Sequence, residues 1–324
     1  MKEFCEIGQR AFLPWLEKEW GIGFSRVVEN VDIQGSPERT LARCVVEDGQ
    51  GNRFLVEKFP WKKGRARESI ARALILFRKQ GLSQATGGIP ATQGKCLLSF
   101  GEALFQVTPF LEGTPLPRPQ WLMSGSRGQA MGDFLNRMGA CAQISSKTLE
   151  FPSFQLGPYI QKLAKEMAEH HPQRFRQYLP FIQFLDQGFM VAEKALPMGF
   201  CHGDFHPLNI IWEGGEIKGV IDWEFAGFKP LVYDAANLIG CAGIEHPEQG
   251  LVGPMALAFL HEIRRSPIMV PACREWFLEY VLALRFAWLS EWLRNEDEEM
   301  LENEAAFMAI LLKYREDLRD SWNL

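Results

Sequence analysis

The sequence predicts an α+β fold with a β-rich N-terminal part, a connector and a larger, mostly helical C-terminal part. Three observations support this prediction. Strand-like runs separated by turn signals fill the first third of the chain, a segment dense in proline and glycine follows, and helical patterns dominate beyond Trp121. The predicted boundaries are 1–108 for the β-rich part, 109–120 for the connector and 121–324 for the helical part.

The β-rich part begins with an amphipathic opening helix and continues with runs rich in Val, Leu and Phe. The predicted strands cover 26–34, 39–48, 53–59, 95–100 and 102–110. The turn sequence DGQGN joins the second strand to the third, as in a hairpin. Between the third and fourth strands, apolar residues at helical spacing predict one helix over 65–81, with Gly81 as its C-cap.

The helical part contains several long apolar-periodic segments. The clearest cover 126–145, 178–197 and 274–294. In the last of these, Trp276, Tyr280, Leu284 and Trp288 recur at helical spacing, which is typical of core packing rather than of a ligand site.

Composition excludes several functional classes. With 324 residues, 47% of them hydrophobic, the chain can bury a sizeable core, and a net charge of -5 does not suggest a nucleic-acid partner. Its seven cysteines are scattered without CxxC spacing, as expected in a reducing compartment. No segment is apolar enough to span a membrane. We therefore expect a cytoplasmic protein, whose oligomeric state the sequence leaves open.

The segment from His202 to Gly227 carries the chemistry. Its glycines Gly214 and Gly215 predict a tight hairpin turn that brings Asn209 near Val220. Asp222 would then lie beside Asn209 at the open end of the hairpin. An amide oxygen and a carboxylate are hard ligands, which suit Mg²⁺ bound together with phosphate oxygens.

Asp204 precedes this hairpin in a loop and could accept a proton from an attacking hydroxyl. It lies five residues before Asn209, the spacing found in the H-R-D-x-x-x-x-N catalytic loop of protein kinases. Asp222 follows on the next strand, where kinases hold a second magnesium ligand.

These residues resemble a known family. HGDFHPLNII followed by VIDWEFAG is similar to the HGDxHxxN and IDxE signatures of the aminoglycoside phosphotransferase/choline kinase family. The resemblance implies a two-lobed protein-kinase-like fold that moves the γ-phosphoryl group of ATP to a hydroxyl of a small molecule. It also implies that Asp204 is the catalytic base, that Asn209 and Asp222 hold Mg²⁺, and that the histidines His202 and His206 support the loop.

The same resemblance suggests nucleotide contacts in the β-rich part. Lys58 lies on a strand after a hairpin, like the lysine of the kinase motif VAIK, and Glu68 is the only acid in the next helix that could pair with it. Gly35 and Ser36 lie where a phosphate-covering loop is expected, although the segment does not match G-x-G-x-x-G. Asp234 is interpreted as a structural cap of the following helix.

The acceptor stays open among amino alcohols, homoserine-like compounds, sugars and aminoglycosides. Two alternatives to a kinase also remain. One is a catalytically silent, nucleotide-binding regulator with a kinase-like fold. The other is a metal-dependent hydrolase that uses His202, Asp204 and His206.

Overall fold

The computed structural model describes residues 9–33, 40–145 and 148–324, which divide into two compact units. The first comprises the described residues up to Pro115 together with Ile144–Glu150 and Leu208–Phe225. The second comprises Leu116–Gln143, Phe151–Pro207 and Ala226–Leu324. These units differ from the predicted domains because the first takes in two segments from later in the chain. One of those segments is the hairpin that the sequence assigned to the helical part.

The first unit is built on a five-stranded antiparallel sheet. Its strands are β1 (Phe24–Val28), β2 (Ala42–Asp48), β3 (Arg53–Phe59), β4 (Leu97–Phe100) and β5 (Ala103–Pro109), and they lie side by side in the order β1-β2-β3-β5-β4. Asp48 accepts backbone hydrogen bonds from Gln50 and Asn52, which fixes the predicted β2–β3 turn. The hairpin of β7 (Ile210–Glu213) and β8 (Glu216–Val220) completes this unit.

A helix packs on each face of the sheet. On one face, Phe12, Leu16 and Trp20 of α1 (Gln9–Trp20) join a core that includes Val56 and Phe105. On the other face, α2 (Gly64–Lys79) contributes Ala71 to a smaller cluster with Phe59, Leu97 and Leu104. Because successive side chains of a strand point to opposite faces, these two clusters define where each strand residue points.

The second unit is mostly helical and contains one small antiparallel pair, β6 (Met198–Cys201) with β9 (Gly227–Pro230). Its helices are α3 (Gly125–Ile144, the last residue of which belongs to the first unit), α4 (Leu156–His170), α5 (Pro172–Asp186), α6 (Phe189–Ala192), α7 (Tyr233–Glu245), α8 (Pro247–Val252), α9 (Pro254–Ile263), α10 (Pro271–Glu275), α11 (Phe277–Asn295), α12 (Glu298–Lys313) and α13 (Arg315–Trp322). None of the helices in the described ranges is both long and apolar enough to cross a membrane.

The core of the second unit surrounds α7 and α11. Most of α7 is buried, and the predicted aromatic helix forms α11, whose Tyr280 and Leu284 are buried. Trp276 lies just before α11 rather than within it, because the helical structure is interrupted at this residue between α10 and α11. Tyr280 packs edge-on against Tyr233 of α7, which agrees with the predicted packing role of this helix.

Candidate functional site

The β7–β8 hairpin places the two predicted magnesium ligands at its open end. Gly214 adopts a φ of +62°, as the tight turn requires. Ile210 pairs with Val220, and the Ile221 N–H donates to the Asn209 carbonyl at 2.9 Å. The predicted pairing of Asn209 with Val220 is therefore off by one residue.

A register shift explains this difference. Ile211 pairs with Gly219 but Trp212 pairs with Ile217, so one extra residue of β8 is accommodated between the two pairs. The bulge leaves Asp222 directly after the partner of Asn209. The structure thus places the buried Asn209 and the half-buried Asp222 at neighbouring backbone positions, although by a different pairing from the predicted one.

Asp222 faces a charged cavity within the first unit. Its backbone has a φ of +59°, an uncommon conformation for a residue other than glycine. Such strained conformations concentrate at functional sites. The cavity is also lined by Arg43 on β2, Glu57 on β3 and Arg67 on α2.

A larger cavity of about 490 Å³ shares walls with the charged one. The two have Leu55, Thr86, Thr108 and Ile221 in common. The larger cavity extends along the segment after β5, from Pro109 to Gly113, and its lining includes the apolar residues Val31 and Ile211. Its volume lies within the range of ligand pockets in proteins, about 300–1,000 Å³.

Lys58 does not face either cavity. In the sheet it pairs with Ala42 and Phe105, both of which lie on the face covered by α1. Its neighbour Glu57 pairs with Arg43 and Gln106, and all three line the charged cavity. The strand alternation therefore presents a carboxylate where the sequence analysis expected an ammonium group.

Glu68 also differs in its contacts from the expected ion pair. One of its carboxylate oxygens accepts the backbone N–H groups of Cys96 and Leu97, at 3.2 Å and 3.1 Å. The other accepts from Arg72 at 3.1 Å. These contacts join α2 to the start of β4 and direct Glu68 away from a pairing with Lys58. The other two predicted nucleotide contacts, Gly35 and Ser36, lie outside the described residues.

The acid of the IDxE signature anchors α2. Glu224 accepts a hydrogen bond from Arg67 at 2.7 Å and lies 3.6 Å from the ammonium of Lys63. Arg67 also lies over the ring of Phe59, with 4.4 Å between the guanidinium carbon and the ring centroid. The segment that carries Asp222 is thereby fastened to the helix that walls the cavity.

Burial changes the acid–base behaviour of the charged cavity. It raises the pKa of Glu57, and the positive charge of Arg67 opposes this shift. Burial likewise lowers the pKa of Arg43, while the carboxylates of Glu57 and Asp222 raise it. Arginine nevertheless stays charged in proteins, so the cavity retains its guanidinium groups at neutral pH.

In the second unit, Asp204 lies on a loop that a buried acid holds in place. Asp234 accepts the backbone N–H groups of His202 and Gly203, at 2.6 Å and 2.8 Å. Asp234 lies in the first turn of α7 but does not cap it, because Val232 is the N-cap and shows no side-chain cap. The predicted capping role is therefore wrong: Asp234 fixes the preceding loop instead. Burial raises the pKa of its carboxyl group, and the imidazole of His202 opposes that shift.

The two histidines flank Asp204. His202 is fully buried, and its Nδ1 accepts the Asp204 N–H at 3.2 Å. His206 places Nε2 3.5 Å from the Asp204 carboxylate and packs near the ring of Trp288. The Asp204 side chain is 18% exposed, so it is reachable from solvent. Across the described ranges, no group of three or more His, Cys, Asp or Glu side chains is arranged to hold a metal ion, which gives the hydrolase alternative no support.

Sequence reasoning missed Arg43, Glu57 and Arg67. All three lie on elements that were predicted, but their position at a cavity depends on which face of the strand or helix they occupy. The pattern at β3 gave no decisive signal, since Glu57 and Lys58 are adjacent and both polar. For Glu224 a signal existed, because it is the final residue of the IDxE signature.

Comparison with known proteins identifies the family. A profile of the phosphotransferase enzyme family matches residues 42–276. The chain belongs to this family. The predicted resemblance to aminoglycoside phosphotransferases is thereby confirmed.

Individual proteins similar to this chain include one sequence relative and several solved structures. The chain is 31% identical over 137 residues to a homoserine kinase of Chelativorans sp. (strain BNC1), a match that spans 40% of this chain and only 39% of the relative. Amicoumacin kinase hAmiN, solved with AMP-PNP, Ca²⁺ and Ami, superposes with a TM-score of 0.65 at 15% identity over 99% of this chain and 96% of that one. A microcompartment-associated aminopropanol kinase gives a TM-score of 0.68 at 14% identity over 95% and 98% of the two chains. These structures confirm the predicted α+β, two-lobed kinase-like fold.

Proposed function

We propose that this protein is an Mg·ATP-dependent phosphotransferase that moves the γ-phosphoryl group to a hydroxyl of a small molecule. The observation that carries the proposal is the placement of Asn209 and Asp222 at adjacent register positions, with Asp222 facing a cavity lined by arginines. Phosphoryl transfer depends chiefly on positioning and on electrostatic stabilisation of phosphate charge, and this cavity offers both.

The nucleotide base would occupy the larger cavity. Leu55, Ile211 and Ile221 supply apolar walls, and the backbone after β5 supplies polar groups. Because the two cavities share four lining residues, a nucleotide could place its base in one and its phosphates in the other. The named ligand AMP-PNP in the amicoumacin kinase complex supports ATP as the donor.

The chemistry of the donors fits magnesium. Asn209 offers an amide oxygen and Asp222 a carboxylate, which are the hard ligands that Mg²⁺ takes together with phosphate oxygens. When bound, the ion would neutralise part of the charge on the phosphates.

Asp204 would accept the proton of the acceptor hydroxyl. The hydroxyl oxygen forms a bond to the γ-phosphorus as the bond between that phosphorus and the β–γ bridging oxygen breaks, and ADP leaves. The Asp204 N–H donates to His202, and two other loop amides donate to Asp234. These hydrogen bonds hold the loop backbone that carries the Asp204 carboxylate in one conformation. Such preorganisation favours a base that must meet its substrate in a fixed geometry.

The similar proteins are named for more than one kind of acceptor. Homoserine kinase, matched at 31% sequence identity, and aminopropanol kinase are named for small amino-bearing alcohols, whereas other solved structures of similar fold, at 13–15% identity, are named aminoglycoside phosphotransferases. We therefore place homoserine and amino alcohols first among the acceptors, ahead of sugars and aminoglycosides.

One observation favours a second candidate, a nucleotide-binding regulator that transfers no phosphate. Glu57, rather than a lysine, occupies the cavity-facing position of β3. Because Lys58 of β3 does not line the cavity, the cavity lacks a lysine on which kinase catalysis ordinarily depends.

An ADP-release assay separates these functions. Purified protein would be mixed with Mg·ATP or Mg·GTP and a panel of amino alcohols, homoserine, sugars and aminoglycosides, in parallel with calorimetric titration of each nucleotide. Acceptor-dependent release of ADP from ATP, or of GDP from GTP, supports the phosphotransferase. Nucleotide binding without release across the panel supports the silent regulator, and absence of any nucleotide binding contradicts both.

A further inference from the structure

The charged cavity has a cation on a different strand from the one expected in kinases. Protein kinases pair the α- and β-phosphates with a lysine on β3 and hold that lysine with a glutamate of the following helix. Here the cavity-facing residue of β3 is Glu57, and α2 presents Arg67 to the same cavity. Compared with protein kinases, the acid therefore lies on β3 and the base on the helix, rather than the reverse.

Arg43 lies across from Glu57, the residue that occupies the cavity-facing position of β3. It is the cross-strand partner of Glu57 on β2, and directly opposed residues have Cβ atoms about 4.5–5.5 Å apart on the same face of a sheet. Glu57 and Asp222 both act electrostatically on its guanidinium. One guanidinium nitrogen donates to the carbonyl of Ile33, a residue that lines the larger cavity, at 2.9 Å.

Arg67, the other guanidinium of the cavity, is already committed. Its Nη2 donates to Glu224 at 2.7 Å, and the group stacks on Phe59. Its side chain is 12% exposed, against 13% for Glu224, so the pair is largely shielded from water. Breaking such a pair to bind a phosphate would leave a shielded carboxylate uncompensated.

We infer that Arg43 is the phosphate-binding cation of this nucleotide site and that Glu57 positions its guanidinium. This inference rests on the proposed function. A guanidinium matches phosphate geometry in a bidentate way, which a lysine ammonium does not. The Arg43–Glu57 pair across β2 and β3 then does the work of the lysine–glutamate pair between β3 and the helix in kinases.

The inference is tested by nucleotide affinity in matched variants. Arg43→Gln removes the cation from the cavity face, and Lys58→Met removes the neighbouring cation from the opposite face. Calorimetry would measure the affinity of each for Mg·ATP and for adenosine, which has no phosphate. Arg43→Gln should weaken Mg·ATP binding about tenfold or more and change adenosine binding less than about twofold, because only phosphate contacts are lost. Lys58→Met should leave both affinities close to those of the wild type.

Two further variants guard against a folding defect. Arg43→Lys keeps the charge and should lose less Mg·ATP affinity than Arg43→Gln. Adding Glu57→Lys to Arg43→Gln returns a cation to the same face of the cavity, and it should recover part of the lost affinity. Thermal melting of every variant checks that the fold is intact.

The outcomes distinguish this inference from the proposed function. If the wild type binds no Mg·ATP, the proposed function fails, and the inference falls with it. If the wild type binds Mg·ATP but Lys58→Met loses that binding while Arg43→Gln keeps it, the inference alone is overturned. It is also overturned if Arg43→Gln weakens adenosine and Mg·ATP equally, because the arginine would then act on the fold rather than on phosphate.

Discussion

The carboxylate of Asp234 accepts the backbone N–H of His202 at 2.6 Å and thereby ties the loop of Asp204 to the first turn of α7. The Gly203 N–H binds the second oxygen of the same carboxylate. Two consecutive amides thus depend on one buried side chain. The loop of Asp204, the proposed base, is held by a residue thirty places further along the chain (204 to 234).

Replacing Asp234 should disturb both stability and turnover. Asp234→Ala leaves two amide donors without their acceptor, at a cost of about 1–3 kcal/mol for each buried donor. Urea unfolding would measure the loss, and steady-state kinetics should show a lower kcat with little change in the KM for ATP. Asp133→Ala, which alters an acid with a side chain 59% exposed, is the control. An unchanged unfolding midpoint in Asp234→Ala would contradict this role.

Glu224 should contribute measurably to the stability of the first unit. Glu224→Gln weakens charged contacts with Arg67 and Lys63, and hydrogen bonds to charged groups contribute about 1.5–3 kcal/mol. We expect the free energy of unfolding to fall by about that amount. Glu166→Gln is the matched control. The Glu166 carboxylate lies 3.6 Å from the Lys162 ammonium and both side chains are exposed, and such pairs contribute about 0–1 kcal/mol to stability. Equal losses in the two variants would refute the anchoring role.

Substitutions of Asp222 should have two separable effects, one on the magnesium dependence of ATP binding and one on stability through backbone strain. Asp222→Asn and Asp222→Ala both remove the carboxylate and should weaken Mg·ATP binding while leaving magnesium-free ATP binding less affected. Asparagine tolerates the positive φ of this position better than alanine, for which that conformation costs about 1–2 kcal/mol. Calorimetry with and without Mg²⁺, together with urea unfolding, would separate the two effects. If neither variant alters the response to Mg²⁺, Asp222 is not a magnesium ligand.

Two buried thiols should make the protein less stable at alkaline pH. Burial raises the pKa of Cys96 to about 11 and that of Cys273 to about 11, from a usual value of 9.0. Below pH 9 both thiols are neutral in the folded and unfolded chains, so their contribution to the free energy of unfolding is fully present. Between pH 9 and 11 the unfolded chain ionises first, and that contribution is lost as the pH rises through the folded value.

Urea unfolding at pH 8, 9, 10 and 11 checks this expectation. The free energy of unfolding should fall with a shallower slope in Cys96→Ala and Cys273→Ala than in the wild type. A slope that is the same in all three proteins would show that these thiols do not ionise differently on unfolding.

The sequence predicted much of the fold because its signals are local. The hairpin at DGQGN, the helix ending before Gly81 and the glycine turn of β7–β8 each depend on residues within a few positions of one another. The composition of the first unit could not be predicted in the same way. Residues 144–150 and 208–225 join it through tertiary packing, which no local pattern encodes.

The site was predicted in part, and the failures have physical causes. Asn209 and Asp222 both lie at the open end of the β7–β8 hairpin, as predicted, but a bulge in β8 shifted the backbone pairing by one residue, and their joint role as magnesium ligands stays a prediction. Lys58 was predicted from its resemblance to the kinase lysine, and the sequence does not show which side of β3 meets α1, so it could not reveal that Glu57 lines the cavity instead. Asp234 contacts the loop of Asp204 from about thirty residues further along the chain, and a contact between distant segments leaves no periodic signal.

The most direct test of the account is acceptor-dependent ADP release by the wild type and by Asp204→Asn, with nucleotide affinity measured on the same preparations. Loss of the base should lower turnover by about 10²–10⁴-fold and leave the affinity for Mg·ATP nearly unchanged. Wild-type turnover in Asp204→Asn would contradict the assignment of Asp204 as the base and, with it, the proposed mechanism.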